Sequence, residues 1–542
     1  MTRDTTLVAL PVRRRLAADP ALGAGNVLQA AMNASPDPQA PLLTLEQPVR
    51  DARGRLSREF SLAGVDEVVT AWARHYWDRG VRRRDRVAIW IDDSFENHIQ
   101  YFALTTLGAI PVLLNGKLSA ETVVRLCAKT TVVGIHADEL RAASLASSGF
   151  HEGWVQVADD VELPEAKLPA EARFQHAPAD PILICHSSGT TGDPKPVIWT
   201  HGQAMAGIRP HLENFLSCLD ARLLSVLPQS HASAVGYLLM ALLTGTPTLL
   251  QSSRDAGTTR RAIDAHQPTA VVGFADTFAG LATTVDPGPL TTVETWISVG
   301  DAAHSAHIAK LVRHGRHRRG EGWAPGSLFV DGLGASELGW GGVLARYVVP
   351  GMPLRDRCLG RPQPYVGIAV LRADGTAAAP GEIGMLGVSG PTITPGYWGD
   401  PNTTYRSQLS GYWLSGDLVW RNEHGELFHA DRLVDAIRSS AGEGYSLLME
   451  ETLLAHIPEV SDWSVISAEV ADEPWVVGFA VSQGTTSPEL LEQANRALTT
   501  QGHPPLDEVR VVPEGALPVG ATGKVLKREL RSQYVAVAPP EA

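Results

Sequence analysis

From about residue 60 onward, short apolar runs alternate with amphipathic stretches. The run Asp85-Arg86-Val87-Ala88-Ile89-Trp90-Ile91 predicts a strand, residues 98–107 a helix, and Ala109-Ile110-Pro111-Val112-Leu113-Leu114 the next strand. The same rhythm returns at 131–135, 182–185, 223–227, 270–274, 295–299 and 328–330. Strands separated by helices predict largely parallel sheets covered on both faces, and residues 60–340 leave room for two such layers. From about 355 to 430 the pattern shortens. "RADGTAAAPGEIGMLGVSG" and "WRNEHGELFHA" carry Gly, Pro and Asp turns between short runs, which predicts antiparallel, barrel-like structure. After Asp431 a charged helix-and-strand tail predicts a small further domain.

A chain of 542 residues exceeds what one hydrophobic core holds, so two or more domains are expected. The net charge of −13 argues against nucleic acid or an anionic membrane as the main partner. Cys127, Cys185, Cys218 and Cys358 lie far apart without a CxxC pair, and read as buried or free thiols of a reducing compartment. The first twenty residues hold no apolar core of signal-peptide length. The most apolar region, 223–250, is interrupted by Pro228, Gln229, His231 and Pro247, which excludes a membrane span there. A soluble, cytoplasmic enzyme is the expectation. Only seven lysines occur among 46 basic residues, which draws attention to Lys195 and Lys524.

The apolar run Ile182-Leu183-Ile184-Cys185 leads into His186-Ser187-Ser188-Gly189-Thr190-Thr191-Gly192-Asp193-Pro194-Lys195. Backbone N–H groups in such a glycine-rich segment can turn toward a phosphate, with hydroxyls adding donors and the lysine adding charge. It is not a Walker A loop, because Gly189 and Gly192 are too close and Pro194 precedes Lys195. GxGxxG is absent as well. On these residues alone, a phosphate cradle and an ordinary surface loop both stay open.

Further segments follow in order. The loop resembles the phosphate-binding loop of adenylate-forming enzymes: acyl-CoA synthetases, luciferases and the adenylation domains of peptide synthetases. "LPQSHASAVGY" at 227–237 resembles their segment beside the acyl pocket, with His231 in the aromatic-or-histidine place. "DGLGASELG" at 331–339 resembles YGxTE, "GYWLSGDLVW" at 411–420 the TGD segment, "ADRLVDAIRSS" at 430–440 the hinge GRxDDxIK, and "LPVGATGKVLKREL" at 517–530 the lysine-bearing tail. The resemblance covers roughly residues 40 to 535. It implies an α/β fold: a large N-terminal domain of two doubly wound αβα layers plus a small β-barrel, residues 1–430, and a small mobile α+β C-terminal lid, residues 431–542.

The resemblance also implies roles. Ser187, Ser188, Gly189, Thr190, Thr191, Gly192 and Lys195 would hold the β- and γ-phosphates of ATP. Glu337, with Thr190, would bind Mg²⁺, a hard cation suited to oxygen ligands. Asp331, Gly332, Leu333, Gly334, Ala335 and Ser336 would line the nucleotide. Asp417 would accept from both ribose hydroxyls, and Arg432 would contact ribose or phosphate. Lys524 would bridge the carboxylate and α-phosphate during adenylation, where fixed positive charge counts most in the transition state. Thr190, His231, Glu337 and Lys524 form the expected catalytic set. Lys527, by contrast, reads as a solvated helix lysine.

The departures matter. Leu333 stands where the family stacks an aromatic ring on adenine, and no residue of "SHASAVGY" matches the aspartate that pairs with an α-amino group. In the hinge, Asp431 replaces a glycine and Val434 replaces Asp or Lys, with a longer loop expected around Gly442 and Gly444. The expected activity is ATP-dependent activation of a fatty, aromatic or related acid, followed by transfer to coenzyme A or a carrier-protein thiol. Two alternatives stay open: an adenylate-forming enzyme with a non-thiol acceptor or a non-carboxylate oxyanion such as nitrite, and a non-catalytic nucleotide-binding relic. The acid, the acceptor, the pathway and the oligomeric state are not legible in the sequence.

Overall fold

A computed structural model of the chain describes residues 6–164, 166–187, 194–216, 220–283, 288–300, 303–320, 322–470, 472–482, 487–513, 515–520 and 525–534. The chain folds as two compact units, the first comprising Met1–Ser187, Pro194–Ile368 and Val388–Trp413, the second Ser188–Asp193, Ala369–Gly387 and Leu414–Ala542.

The first unit carries the alternation read from the sequence. One sheet has the order Trp154–Val157, Gly134–Ala137, Arg86–Trp90, Ile110–Leu113, Pro181–His186 and Pro196–Thr200. Its strands pair in parallel except for the last pair. Ala88, Val112, Ile135 and Ile184 form its core with Leu126 and Cys127 from the helix Ala120–Thr130. That helix starts where Ser119 Oγ accepts the Thr122 N–H, an N-cap that satisfies one orphan donor.

A second sheet runs in parallel through Thr248–Leu250, Leu223–Ser225, Ala270–Phe274, Thr295–Val299 and Leu328–Leu333. The hairpin Pro41–Arg50 and Leu56–Ser61 extends one side, joined in parallel to Thr248–Leu250. Leu344–Val348 and Cys358–Pro362 continue the other side antiparallel. The central strand Ala270–Phe274 is buried along its whole length, which is why it reads as a continuous apolar run. The apolar stretch at 223–250 resolves into two short strands around the buried helix Ala232–Thr244. Thirteen residues are too few to cross a bilayer, which takes about 20.

In the second unit, Tyr412–Arg421 pairs antiparallel with Leu427–Arg432. Beyond them, Asp462–Val470, Glu473–Val481 and Glu508–Val512 form a three-stranded sheet. The helices Ser446–His456 and Ser487–Thr500 flank it, with Met449, Leu453, Trp463, Val476 and Leu506 in the core.

Two expectations change here. The longer loop around Gly442 is a tight hairpin: Ala436–Ser439 pairs with Gly442–Tyr445, Ser439 opposite Gly442. Only Ser440 and Ala441 connect the strands, and Gly442 supplies the left-handed backbone with φ +123°. Lys527 is not a solvated helix lysine. It is 8% exposed, donates to Ser446 Oγ at 2.5 Å and pairs with Glu450 Oε1 at 2.7 Å. Ser446 in turn donates from Oγ to Asp431 Oδ1 at 3.0 Å, and its N–H donates to Asp431 Oδ2. Asp431, the residue that replaces the hinge glycine, is thus tied into a buried polar network.

Candidate active site

Strand Pro181–His186 ends at Ser187, and strand Pro196–Thr200 leaves from Lys195. The two residues close the base of the glycine-rich loop: Ser187 N–H donates to the Lys195 carbonyl at 3.1 Å, and Lys195 N–H donates to Ser187 Oγ at 3.0 Å. Ser188, Gly189, Thr190, Thr191 and Gly192 lie outside the described residues, as does Lys524.

Lys195 points its ammonium at the ring of Tyr397, 5.2 Å from the centroid, within cation–π range. The Tyr397 hydroxyl donates to Glu337 Oε1 at 3.0 Å. Trp199 Nε1–H donates to the Ser336 carbonyl at 2.8 Å, which fixes the short turn Ser336–Leu338 against strand Pro196–Thr200. Burial raises the Tyr397 phenol, and the Glu337 carboxylate raises it further, so it stays a neutral donor. Tyr397 therefore brings a cation and a hard anionic oxygen together, Lys195 over its ring and Glu337 at its hydroxyl. This donor set suits a polyphosphate with a divalent cation.

Sequence reasoning missed Tyr397. Its signal was Pro395-Gly396-Tyr397-Trp398, where Gly396 has φ +143°. The Ile198 N–H donates to the Gly396 carbonyl at 3.1 Å and the Trp398 N–H to that of Pro196 at 2.8 Å, laying the segment along the strand.

The segment 331–336 divides in two. Gly332 and Leu333 finish the strand Leu328–Leu333, and Gly334 and Ala335 lead into the turn at Ser336. Asp331 points elsewhere: its carboxylate is 5% exposed and pairs with Arg346 at 2.9 Å. It also accepts from the Ala303 N–H at 3.2 Å, so it holds the strand pair together. His231 caps the helix Ala232–Thr244, its Nδ1 accepting the Ser233 N–H at 3.2 Å. Its ring meets Phe274 edge-on at 5.2 Å.

In the second unit, Asp417 and Arg432 stand opposite each other in register. Arg432 Nε lies 3.4 Å from Asp417 Oδ1, and His429 Nε2 lies at the same distance. Burial would raise the Asp417 carboxyl. The Arg432 guanidinium, the His429 imidazole and the Ser415 hydroxyl outweigh it and hold the group well below the ordinary carboxylate range. Asp417 is thus a permanent anion, suited to accept hydrogen bonds from hydroxyl donors.

Residues 45–398 match the AMP-binding enzyme family. The chain belongs to the AMP-binding, adenylate-forming enzymes. It is 37% identical, over 98% of its own length and 99% of the relative's, to a Streptomyces protein named 3-aminoavenalumate diazotase. It is 29% identical to a feruloyl-CoA synthase of Amycolatopsis, over 84% of this chain and 90% of that one. Among solved structures, ATP-bound MatB from Rhodopseudomonas palustris superposes with a TM-score of 0.79 at 18% identity, covering 95% of this chain and 99% of that one. The AMP-binding enzyme is accordingly mixed α/β, with a large N-terminal and a smaller C-terminal domain, and is an ATP-dependent acid ligase by family. Among the described residues, no helix is long and apolar enough to cross a membrane.

Proposed function

We propose that this enzyme is a diazotase: it spends ATP to activate nitrite as a nitrosyl adenylate and passes the nitroso group to an aromatic amine. The observation that carries the reading is the 37% identity, end to end, with a protein named for diazotisation. The chemistry fits an acid-activating site. Nitrite, like a carboxylate, is a poor electrophile because oxide must leave, and an AMP ester supplies the leaving group. The hinge departures at Asp431 and Val434 fit as well, since no thiol has to be admitted when the acceptor is an amine. In this reading Lys195 and the loop 188–192 hold the phosphates, Glu337 and Thr190 the Mg²⁺, and Asp417 and Arg432 the ribose side of ATP. The buried thiols of Cys127, Cys185 and Cys358 suit a cytoplasmic setting.

The test is an incubation with ATP, Mg²⁺, nitrite and a panel of amino-substituted aromatic acids, with the diazonium trapped as an azo dye. Nitrite-dependent AMP and dye are expected. Relatives named feruloyl-CoA synthase, at 29% identity, and 2-succinylbenzoate–CoA ligase, at 26%, favour a second reading in which an acid is joined to coenzyme A. AMP that depends on the acid and coenzyme A, without nitrite, would establish that reading and end the first.

Two site predictions hold under either reading. Asp417→Ala is expected to weaken ATP binding by about 1.5–3 kcal/mol, the worth of a hydrogen bond to a charged group. Calorimetry showing unchanged nucleotide affinity contradicts the ribose role. Glu337→Gln keeps the shape but loses the charge. Its half-saturating Mg²⁺ is expected to rise about 10–100-fold, the range over which metal affinity answers even to outer ligands. An unchanged Mg²⁺ titration removes Glu337 from the metal.

A further inference from the structure

Four segments that follow parallel strands converge beside Phe274. Asp93 follows Arg86–Trp90, Gln229 and His231 follow Leu223–Ser225, Ser252 and Arg254 follow Thr248–Leu250, and Phe274 ends its own strand. The Gln229 N–H donates to Asp93 Oδ1, and Ser252 Oγ donates to the Asp93 carbonyl at 2.6 Å. Asp93 is thereby pinned between both loops. The His231 ring stands edge-on to Phe274, and the Arg254 guanidinium lies 5.7 Å from the Phe274 centroid while pairing with Asp276 at 3.0 Å. Crevices at the carboxyl ends of parallel strands are where α/β folds bind ligands.

Asp93 is conspicuous in this crevice. Among the described residues, its carboxylate accepts one hydrogen bond, from Gln229, and the second oxygen accepts none. Burial raises its pKa, the Gln229 N–H lowers it, Asp92 raises it, and Arg254 and Lys117 lower it, leaving it pushed up to about 7. A group balanced near neutrality both takes and returns protons well. Its neighbour His98, hydrogen-bonded to Gln229 Oε1 at 2.9 Å, is driven the other way by burial, down to about 4, and stays neutral.

We propose that the half-exposed groups of this crevice bind an aromatic amine that also bears a carboxylate, with the carboxylate toward Arg254 and the amine at Asp93, which acts as the catalytic proton acceptor. The inference rests on the diazotase reading. The amine nitrogen attacks the nitroso nitrogen. An N–N bond forms, the N–O bond to AMP breaks, and AMP leaves with the electron pair. The first amine proton goes to Asp93, giving a neutral N-nitrosamine. The second N–H proton shifts to the nitroso oxygen, Asp93 returns its proton to that hydroxyl, and water leaves. The diazonium remains, and no outside oxidant or reductant is needed.

The experiment follows AMP and azo dye separately, with nitrite and 3-aminocinnamate as probes beside the amine panel. Asp93→Asn is expected to keep nitrite-dependent AMP release, while dye formation falls at least about 100-fold, the lower end of what a positioned base supplies. Asp160→Asn, at an exposed carboxylate outside the crevice, should leave both unchanged. Dye at the wild-type rate in Asp93→Asn overturns the inference and leaves the proposed function standing. No nitrite-dependent AMP or dye from the wild type, with any member of the panel, overturns the proposed function and the inference with it. If Asp93→Asn fails to fold, Arg254→Met decides. A KM raised about tenfold for 3-aminocinnamate but not for 3-aminostyrene, as loss of a charged hydrogen bond requires, supports the crevice; equal effects on both overturn it.

Discussion

Lys524→Ala is expected to lower adenylate formation about 10²–10³-fold while ATP still binds, the loss found when one donor to developing charge is removed. The residue sits in "ATGKVLKREL", the segment that resembles the lysine-bearing tail of adenylate-forming enzymes, and the proposed role puts its ammonium at the reacting oxygens. Charge moves onto the bridging oxygens only as the acid attacks the α-phosphorus, so a fixed ammonium stabilises that state more than bound ATP. The defect should therefore fall on kcat, with nucleotide affinity nearly unchanged in calorimetry. It should be equal for nitrite and for any carboxylate the enzyme accepts, because the ammonium acts on the phosphate side. Pyrophosphate exchange at the wild-type rate in the variant removes Lys524 from the chemistry.

What the sequence made legible was mainly what is local. The strand Ala270–Phe274 coincides with its apolar run, because a strand buried on both faces leaves an unbroken run of apolar residues, and Thr295–Val299 is found at its expected bounds with Trp296 and Ile297 buried. Val87, Val112 and Ile184 were identifiable as core for the same reason. What was not legible depends on partners distant in sequence. Tyr397 acquires its meaning from Glu337, 60 residues earlier, and from Lys195, which no periodicity connects to it. Asp331 looked like part of the nucleotide segment until Arg346 claimed its carboxylate. Asp93 stands between Asp92 and Ser94 in "IDDSFEN", where nothing local singles it out. Only the loops that follow the strands Leu223–Ser225 and Thr248–Leu250 enclose it.

Lys527 is the sharpest of these cases, and it carries the second large prediction. A lysine in "KVLKREL" would by default be solvated, and replacing it would cost little. Here its ammonium is buried against Glu450 and Ser446, and its charge also acts on Asp431. Glu450 Oε1 accepts from the Val465 N–H at 2.7 Å as well, so the network ties helix Ser446–His456 to strand Asp462–Val470 and to helix Lys527–Gln533. Lys527→Ala would leave Glu450 and Asp431 as buried carboxylates without their cation. Removing one partner of a buried pair costs about 3–5 kcal/mol, far more than the pair adds over an apolar replacement. Amides of residues 462–481 are therefore expected to lose about 10²–10³-fold of their hydrogen-exchange protection, a tenfold loss answering to about 1.4 kcal/mol. The double variant Lys527→Met with Glu450→Leu should recover part of that loss, because it removes both charges of the pair instead of stranding one. Since helix Lys527–Gln533 begins three residues after Lys524, the single variant should also slow adenylation. The two lysines then separate by readout: Lys524→Ala fails in chemistry with protection intact, and Lys527→Ala fails in protection first. Unchanged exchange in Lys527→Ala would show that the buried network contributes nothing to the stability of the C-terminal sheet.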